Sequence, residues 1–211
     1  MSNFQSQNQS ERESSLNPSS LRILCLHDSE SHANELSDKL EEFGERLYEN
    51  HMIDLVYINS PLVMRGSNNN DDGENPNRIW WEEQEGNKCV GLDASLLLLR
   101  QIWASMPFWG ILAVGAGAAV GSFLPLMPVS PMPAFCIFVN GKSLLKDETE
   151  RLIDDFACLH IIGEFVGLMK ALCLFEKSSL FSSLRQLFRF RPQSWPIGKV
   201  GTAIWWKSIS S

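Results

Sequence analysis

No acidic residue occurs after Glu176, where Lys177, Arg185, Arg189, Arg191, Lys199 and Lys207 are all basic. The chain as a whole is nonetheless acidic, with a formal net charge of −7. A general nucleic-acid binder needs a basic face, so that class is excluded as a partner, and the basic end reads as solvated surface rather than a phosphate site. No C-x-x-C pair occurs among Cys25, Cys89, Cys136, Cys158 and Cys173, and His27, His32, His51 and His160 lack metal-ligand spacing. The expectation is free, mostly buried thiols in a reducing compartment, with no metal and no cofactor. No apolar leader follows Met1, so no secretory signal is expected and the location is read as cytoplasmic, with the nucleus also open. No charge occurs between Arg100 and Lys142, and Phe108 to Met127 is apolar over a membrane-spanning length. Gly110, Gly115, Gly117 and Gly121, followed by Pro125, Pro128, Pro131 and Pro133, argue against a continuous helix there. A membrane-anchored protein is the weakest of three readings.

What is present is a run of apolar segments alternating with amphipathic ones. Residues 1–20 are polar and cannot offset the entropy of ordering, so a disordered tail is expected, followed by one domain over residues 21–211. Leu21 to Leu26 reads as a buried strand. Ser31 to Asn50 reads as a helix, with Leu36, Leu40, Phe43 and Leu47 on one face. Ile53 to Ile58 is the next strand, and Arg65 to Asn77 a surface loop. A helix over Leu92 to Ser105 leads to a central strand ending at Val114. Further strands are expected at Ala134 to Val139 and Cys158 to Ile162, with helical segments near Asp147 to Phe156 and Leu168 to Arg189. Strands that are apolar throughout and alternate with helices demand a parallel sheet covered on both faces. The fold class is therefore α/β, a three-layer sandwich with a mostly parallel central sheet.

The stretch from Trp109 to Gly121 organises this pattern. It reads as a short strand, a tight turn at Gly115, and a helix of small residues suited to close packing. A dinucleotide loop is a weak alternative, because the following strand ends at Asn140 rather than at an acid that would hold a ribose.

The landmarks, in order, resemble the family of serine hydrolases (FSH family), small α/β-hydrolases of fungi and other eukaryotes. The family's L-H-G after the first strand is matched by Leu26-His27-Asp28, its D-A-P by Asn59-Ser60-Pro61, and its N-R-A-W-[WF] by Asn77-Arg78-Ile79-Trp80-Trp81. D-G-I-[LV] and the elbow G-[FL]-S-Q-G-A-A correspond to Trp109-Gly110-Ile111-Leu112 and Ala113-Val114-Gly115-Ala116-Gly117-Ala118-Ala119. The S-G after the next strand is matched by Asn140-Gly141. The G-x-x-D corresponds to Gly163-Glu164-Phe165-Val166, and H-x-G-G-H loosely to Trp195-Pro196-Ile197-Gly198-Lys199.

The resemblance implies an α/β-hydrolase fold and acyl-ester hydrolysis by a Ser-His-Asp triad. At the positions it assigns to nucleophile, acid and base stand Gly115, Val166 and Lys199, and Asp28 replaces a glycine of the oxyanion loop. Gly115 has no side chain, Val166 cannot orient an imidazole and Asp28 would repel an oxyanion, while a desolvated Lys199 could serve as a base but has no nearby hydroxyl to activate. The expectation is a pseudo-hydrolase that binds a small acyl-type or ester ligand, or a protein partner, in a pocket formed by His27, Asp28, Ala116, Arg78, Trp80 and Trp81. The alternative is an active carboxylesterase or thioesterase that uses unmatched groups, either Cys25 or His27 with Asp28. The bland readings are that Cys25 is core, that the His27–Asp28 pair fixes a loop, that Trp80, Trp81 and Arg78 form a lid or core cluster, that Glu164 is merely polar, and that Ser122 points into packing.

Overall fold

The computed structural model describes residues 20–64, 76–85, 88–141 and 158–161. Within them a five-stranded sheet runs in the order β2-β1-β7-β8-β9, with every neighbouring pair parallel. These strands are β1 (Leu21–Leu26), β2 (Ile53–Ile58), β7 (Gly110–Val114), β8 (Phe135–Val139) and β9 (Cys158–Ile161). The helices are α1 (Ala33–Lys39), α2 (Glu41–His51), α3 (Leu92–Ser105) and α4 (Ala116–Gly121). Two small antiparallel ladders lie apart from the sheet: β3 (Leu62–Val63) with β4 (Arg78–Ile79), and β5 (Glu82–Gln84) with β6 (Lys88–Val90).

Side chains of β1 alternate between two cores, as strand pleating requires. Ile23 and Cys25 join Leu36, Leu40, Phe43 and Leu47 of the α1–α2 layer. Leu24 and Leu26 join Leu99 and Trp103 of α3 and Ala118 and Val120 of α4. Burial on both faces explains why the strands are apolar at nearly every position, and the expected covered parallel sheet is what forms.

Two details differ from the sequence reading. The single helix expected over Ser31 to Asn50 is divided at Leu40, which takes φ −107 and ψ 8. Its N–H lies 3.1 Å from the carbonyls of both Leu36 and Ser37, a tightened last turn before α2 begins. Leu36, Leu40 and Phe43 still reach one core. The short strands β3 to β6 were not expected. They hold two or three residues each, and β5 is acidic and fully exposed, so no apolar alternation announces them.

The apolar run from Phe108 to Met127 is divided between β7, the turn at Gly115 and the six-residue α4. Among the described residues no helix is long and apolar enough to cross a membrane. The tail before Ser20, the loop over residues 65–75 and the helical segments expected near 147–156 and 168–189 lie outside the described residues.

The chain passes from β1 to β2 on one side and later returns to β7 on the other side of β1. The loops leaving β1 and β7 therefore diverge at their carboxyl ends. In open α/β sheets such a switch point opens a crevice where ligands bind. Gly117, on the first turn of α4, sets how closely that helix approaches β1. A Cβ there would collide with the carbonyl oxygen of His27 and crowd the backbone of Leu26. Backbone cannot rotate aside as a side-chain tip can. Although alanine is the better helix former by about 1 kcal/mol, Gly117→Ala is expected to destabilise the protein by about 1–3 kcal/mol. Chemical denaturation measures this, and an increase in stability would contradict the packing described.

Candidate functional site

β7 ends at Val114, and the next residue turns the chain directly into α4. Gly115 adopts φ 53 and ψ −115, a combination that side-chain-bearing residues adopt only under strain. Its N–H donates to the carbonyl of Val139 at the end of β8 (2.8 Å), and its carbonyl accepts from Ala119 (3.3 Å). The turn is thus fixed from both sides.

Asp28, on the loop leaving β1, reaches across to this turn. Its Oδ1 accepts the backbone N–H of Ala116 at 2.8 Å and that of Ser29 at 2.7 Å. A Cβ built on Gly115 would stand inside the Asp28 carboxylate, overlapping Oδ1, Cγ and Oδ2. The side-chain space of residue 115 is therefore filled by residue 28. Either residue's identity makes sense only with the other.

The loop carrying Asp28 is braced from beneath by His27. Ser60 N–H, which can only donate, lies 3.1 Å from His27 Nε2. The carbonyl of Asp28, which can only accept, lies 2.6 Å from Nδ1. Both partners demand the same tautomer, with the proton on Nδ1 and the lone pair on Nε2. Burial favours the neutral ring and lowers its pKa from the usual value. Trp80 Nε1 donates to the His27 carbonyl (2.8 Å), and its ring lies against the imidazole at 5.2 Å. Arg78 Nη1 donates to the carbonyl of Ser60 (2.9 Å), while the Arg78 backbone pairs with Glu30 and Ser31. Asn59 Oδ1 accepts from Ala33 N–H at 2.8 Å, anchoring the first turn of α1. The residues from Asn59 to Pro61 and from Asn77 to Trp80 thus form a frame around the β1 loop.

A cavity of about 780 Å³ opens above this frame, within the size range of small-molecule sites. Asp28, Gly115 and Ala116 lie at its floor, Asn140 at the end of β8, and Pro61 to Met64 with Trp81 and Val90 along its sides. Of the residues expected to form a pocket, Asp28, Ala116 and Trp81 line the cavity. His27 and Trp80 are fully buried and do not line it, and Arg78 serves the frame. An acid–base pair of His27 with Asp28 is corrected by the geometry: the imidazole meets the Asp28 backbone, not its carboxylate, and both ring nitrogens are engaged. Cys25 is corrected likewise. It is fully buried in the α1–α2 core, and burial pushes its thiol far above the usual range. Ser122 Oγ donates to the carbonyl of Ala119, capping its own helix. Val166, Lys199 and Glu164 lie outside the described residues.

The model of one protein family, described as serine hydrolase (FSH1), matches residues 16–167. The chain belongs to the serine hydrolase (FSH1) family. No curated protein matches it. Within the matched region Gly115 forms the turn between β7 and α4, and Ala116 opens α4. The matched region takes in the β1 loop, the frame and the elbow, as well as Val166; Lys199 falls beyond it. The sequence reading missed Glu30, Glu82, Glu83, Gly91, Asn140 and the Pro61–Met64 wall as cavity residues, because only the topology joins them.

Two predictions arise from this geometry. Gly115→Ala adds a Cβ into the Asp28 carboxylate, and Asp28→Gly removes the obstacle. The two substitutions together are expected to cost less than the sum of their separate effects, by about 1–3 kcal/mol. A double-mutant cycle in denaturant measures the coupling, and strict additivity would refute the overlap. The second concerns His27. Its folded-state pKa lies below the unfolded value of about 6.5, so the unfolded chain takes up the proton first as pH falls. The stability this neutral histidine contributes is therefore complete above that value and is lost as pH falls through the folded pKa. The stability advantage of wild type over His27→Gln should shrink between pH 7 and pH 5, whereas a constant gap would show that residue 27 is not buried neutral.

Proposed function

We propose that this member of the serine hydrolase family has lost acyl transfer and uses its cavity to bind a small ligand. The observation that carries the reading is the Asp28 carboxylate, seated on the N–H of Ala116 where an ester's developing oxyanion would need that donor. A fixed carboxylate at this point opposes negative charge rather than stabilising it. Nor does the carboxylate in this position leave room for a nucleophile: a side chain at residue 115 would have to displace it.

The sequence supports the same reading at positions further along the chain. Val166 stands where the family resemblance puts the acid, and Lys199 where it puts the base. Removing one member of a triad costs about four to six orders of magnitude in kcat, and removing the others adds little, since they act as a unit. Neither substitute at hand repairs this: Cys25 is sealed in the core, and His27 spends both nitrogens on the backbone. What is retained is the frame, the elbow and a cavity of ligand size, which suit binding of an acyl-type or other small molecule.

A fluorophosphonate probe tests the loss of chemistry directly. The purified full-length chain should show no covalent adduct by intact mass, and p-nitrophenyl acetate should turn over no faster than in buffer. A stoichiometric adduct, or turnover above the buffer rate, would overturn the proposal.

A further inference from the structure

The cavity walls have a charge pattern that the binding reading leaves unused. Asp28, Glu30, Glu82 and Glu83 all line it, and no lysine, arginine or histidine does so among the described residues. None of the four forms an ion pair among the described residues, where the salt bridge is Lys39 with Glu35 on α1, outside the cavity lining. Among the described residues, the basic groups near these elements face other partners. Arg78 donates to the Ser60 carbonyl, and Lys88 stands opposite Gln84 on the β5–β6 ladder rather than opposite either glutamate. His27 is held neutral. A concave wall with charge of one sign concentrates potential inside it and draws in counter-charge.

The rest of the lining is apolar. Leu62, Met64 and Trp81 contribute to it, together with Val63 and Val90, whose side chains remain 50% and 43% exposed. Two half-exposed valines on different small ladders, facing one cavity, leave apolar surface that a ligand of matching shape would cover. Trp81 adds an aromatic ring, the side chain best suited to the company of an organic cation. Carboxylates, an aromatic ring and an apolar wall in one cavity of about 780 Å³ select a molecule with a positive head and an apolar body.

We propose that the cavity binds an alkyl- or arylalkylammonium, with the ammonium among Asp28, Glu30, Glu82 and Glu83 and the apolar body against Leu62, Trp81 and Val90. This rests on the ligand-binding reading and narrows it. An acyl compound would be accepted where it carries such an ammonium, and a free carboxylate would be rejected. Asp28 already holds the two backbone N–H groups at the floor, so an anion meets a carboxylate there instead of donors.

Isothermal titration of the full-length chain with n-octylammonium, octyl acetate and octanoate, at low and at physiological salt, tests this. Octylammonium should bind best, octyl acetate more weakly, and octanoate not at all, with the ammonium affinity falling as salt rises. Glu82→Gln with Glu83→Gln, on the exposed β5 where folding is little affected, should weaken octylammonium by roughly two- to fivefold per carboxylate and leave octyl acetate unchanged. Octanoate binding as well as octylammonium, or octyl acetate binding alone, overturns the inference and leaves the ligand-binding reading standing. Silence from all three compounds, with the fold intact by circular dichroism, overturns both.

Discussion

One hydrogen bond joins the two loops on which the site depends: the N–H of Ala116 to Oδ1 of Asp28, 88 positions apart in the chain. A carboxylate that accepts two backbone N–H groups makes the stronger, charge-assisted kind of bond. It ties the end of β1 to the turn after β7, the two strands between which the sheet changes direction. The bond also determines what neighbouring residues can be. With the carboxylate in place, residue 115 has no space for a side chain, and its backbone adopts a region where glycine carries no steric cost. Position 115 and position 28 are therefore one structural fact expressed at two sites in the sequence.

The frame around this bond explains residues that look functional and act structurally. His27 neighbours the site in sequence, yet its ring is turned inward and bonded at both nitrogens to backbone groups. Trp80 supports the same loop through the His27 carbonyl, and Arg78 through Ser60. Satisfied networks of this kind fix one conformation, because any buried member left unpaired costs about 1–3 kcal/mol. Held this way, the β1 loop keeps Asp28 over the elbow without any contribution from a ligand. The cavity floor is pre-organised, and a ligand need not supply the energy of arranging it.

Much of this was legible in the sequence, for physical reasons that can be named. β1, β7 and β8 are buried on both faces and β2, at the sheet edge, is half-buried; each is a nearly continuous apolar run, and their bounds fall within a residue of expectation. α3 repeats burial at Ser95, Leu99 and Trp103, a helical spacing readable without coordinates. Gly115 followed by Ala116 and Gly117 marked the turn. The direction of the His27 ring was not legible, because it depends on Ser60 and on the Asp28 carbonyl, and backbone groups leave no signature in residue type. The β3 to β6 ladders escaped notice because strands of two or three residues, none of them fully buried, are too short to show an apolar alternation. The break at Leu40 escaped for the opposite reason: the apolar spacing continues through it.

By residue type alone Asp28 has only a negative role, that of a charge opposed to an oxyanion. The coordinates add a positive one, since the carboxylate fills the volume over Gly115 and takes the donor at Ala116. That pairing bears on how the site could change. Gaining a serine at 115 while Asp28 remains would push the carboxylate off the Ala116 N–H, and losing Asp28 while Gly115 remains would leave two N–H donors without their acceptor. Each single step costs stability, so the pair resists reversion toward a hydrolytic elbow more strongly than either residue alone. A fold constrained in this way can still vary the cavity walls, because β5 and β6 are exposed and carry no core. Ligand selection in the proposed reading therefore rests with residues such as Glu82, Glu83 and Val90, while the floor beneath them stays fixed.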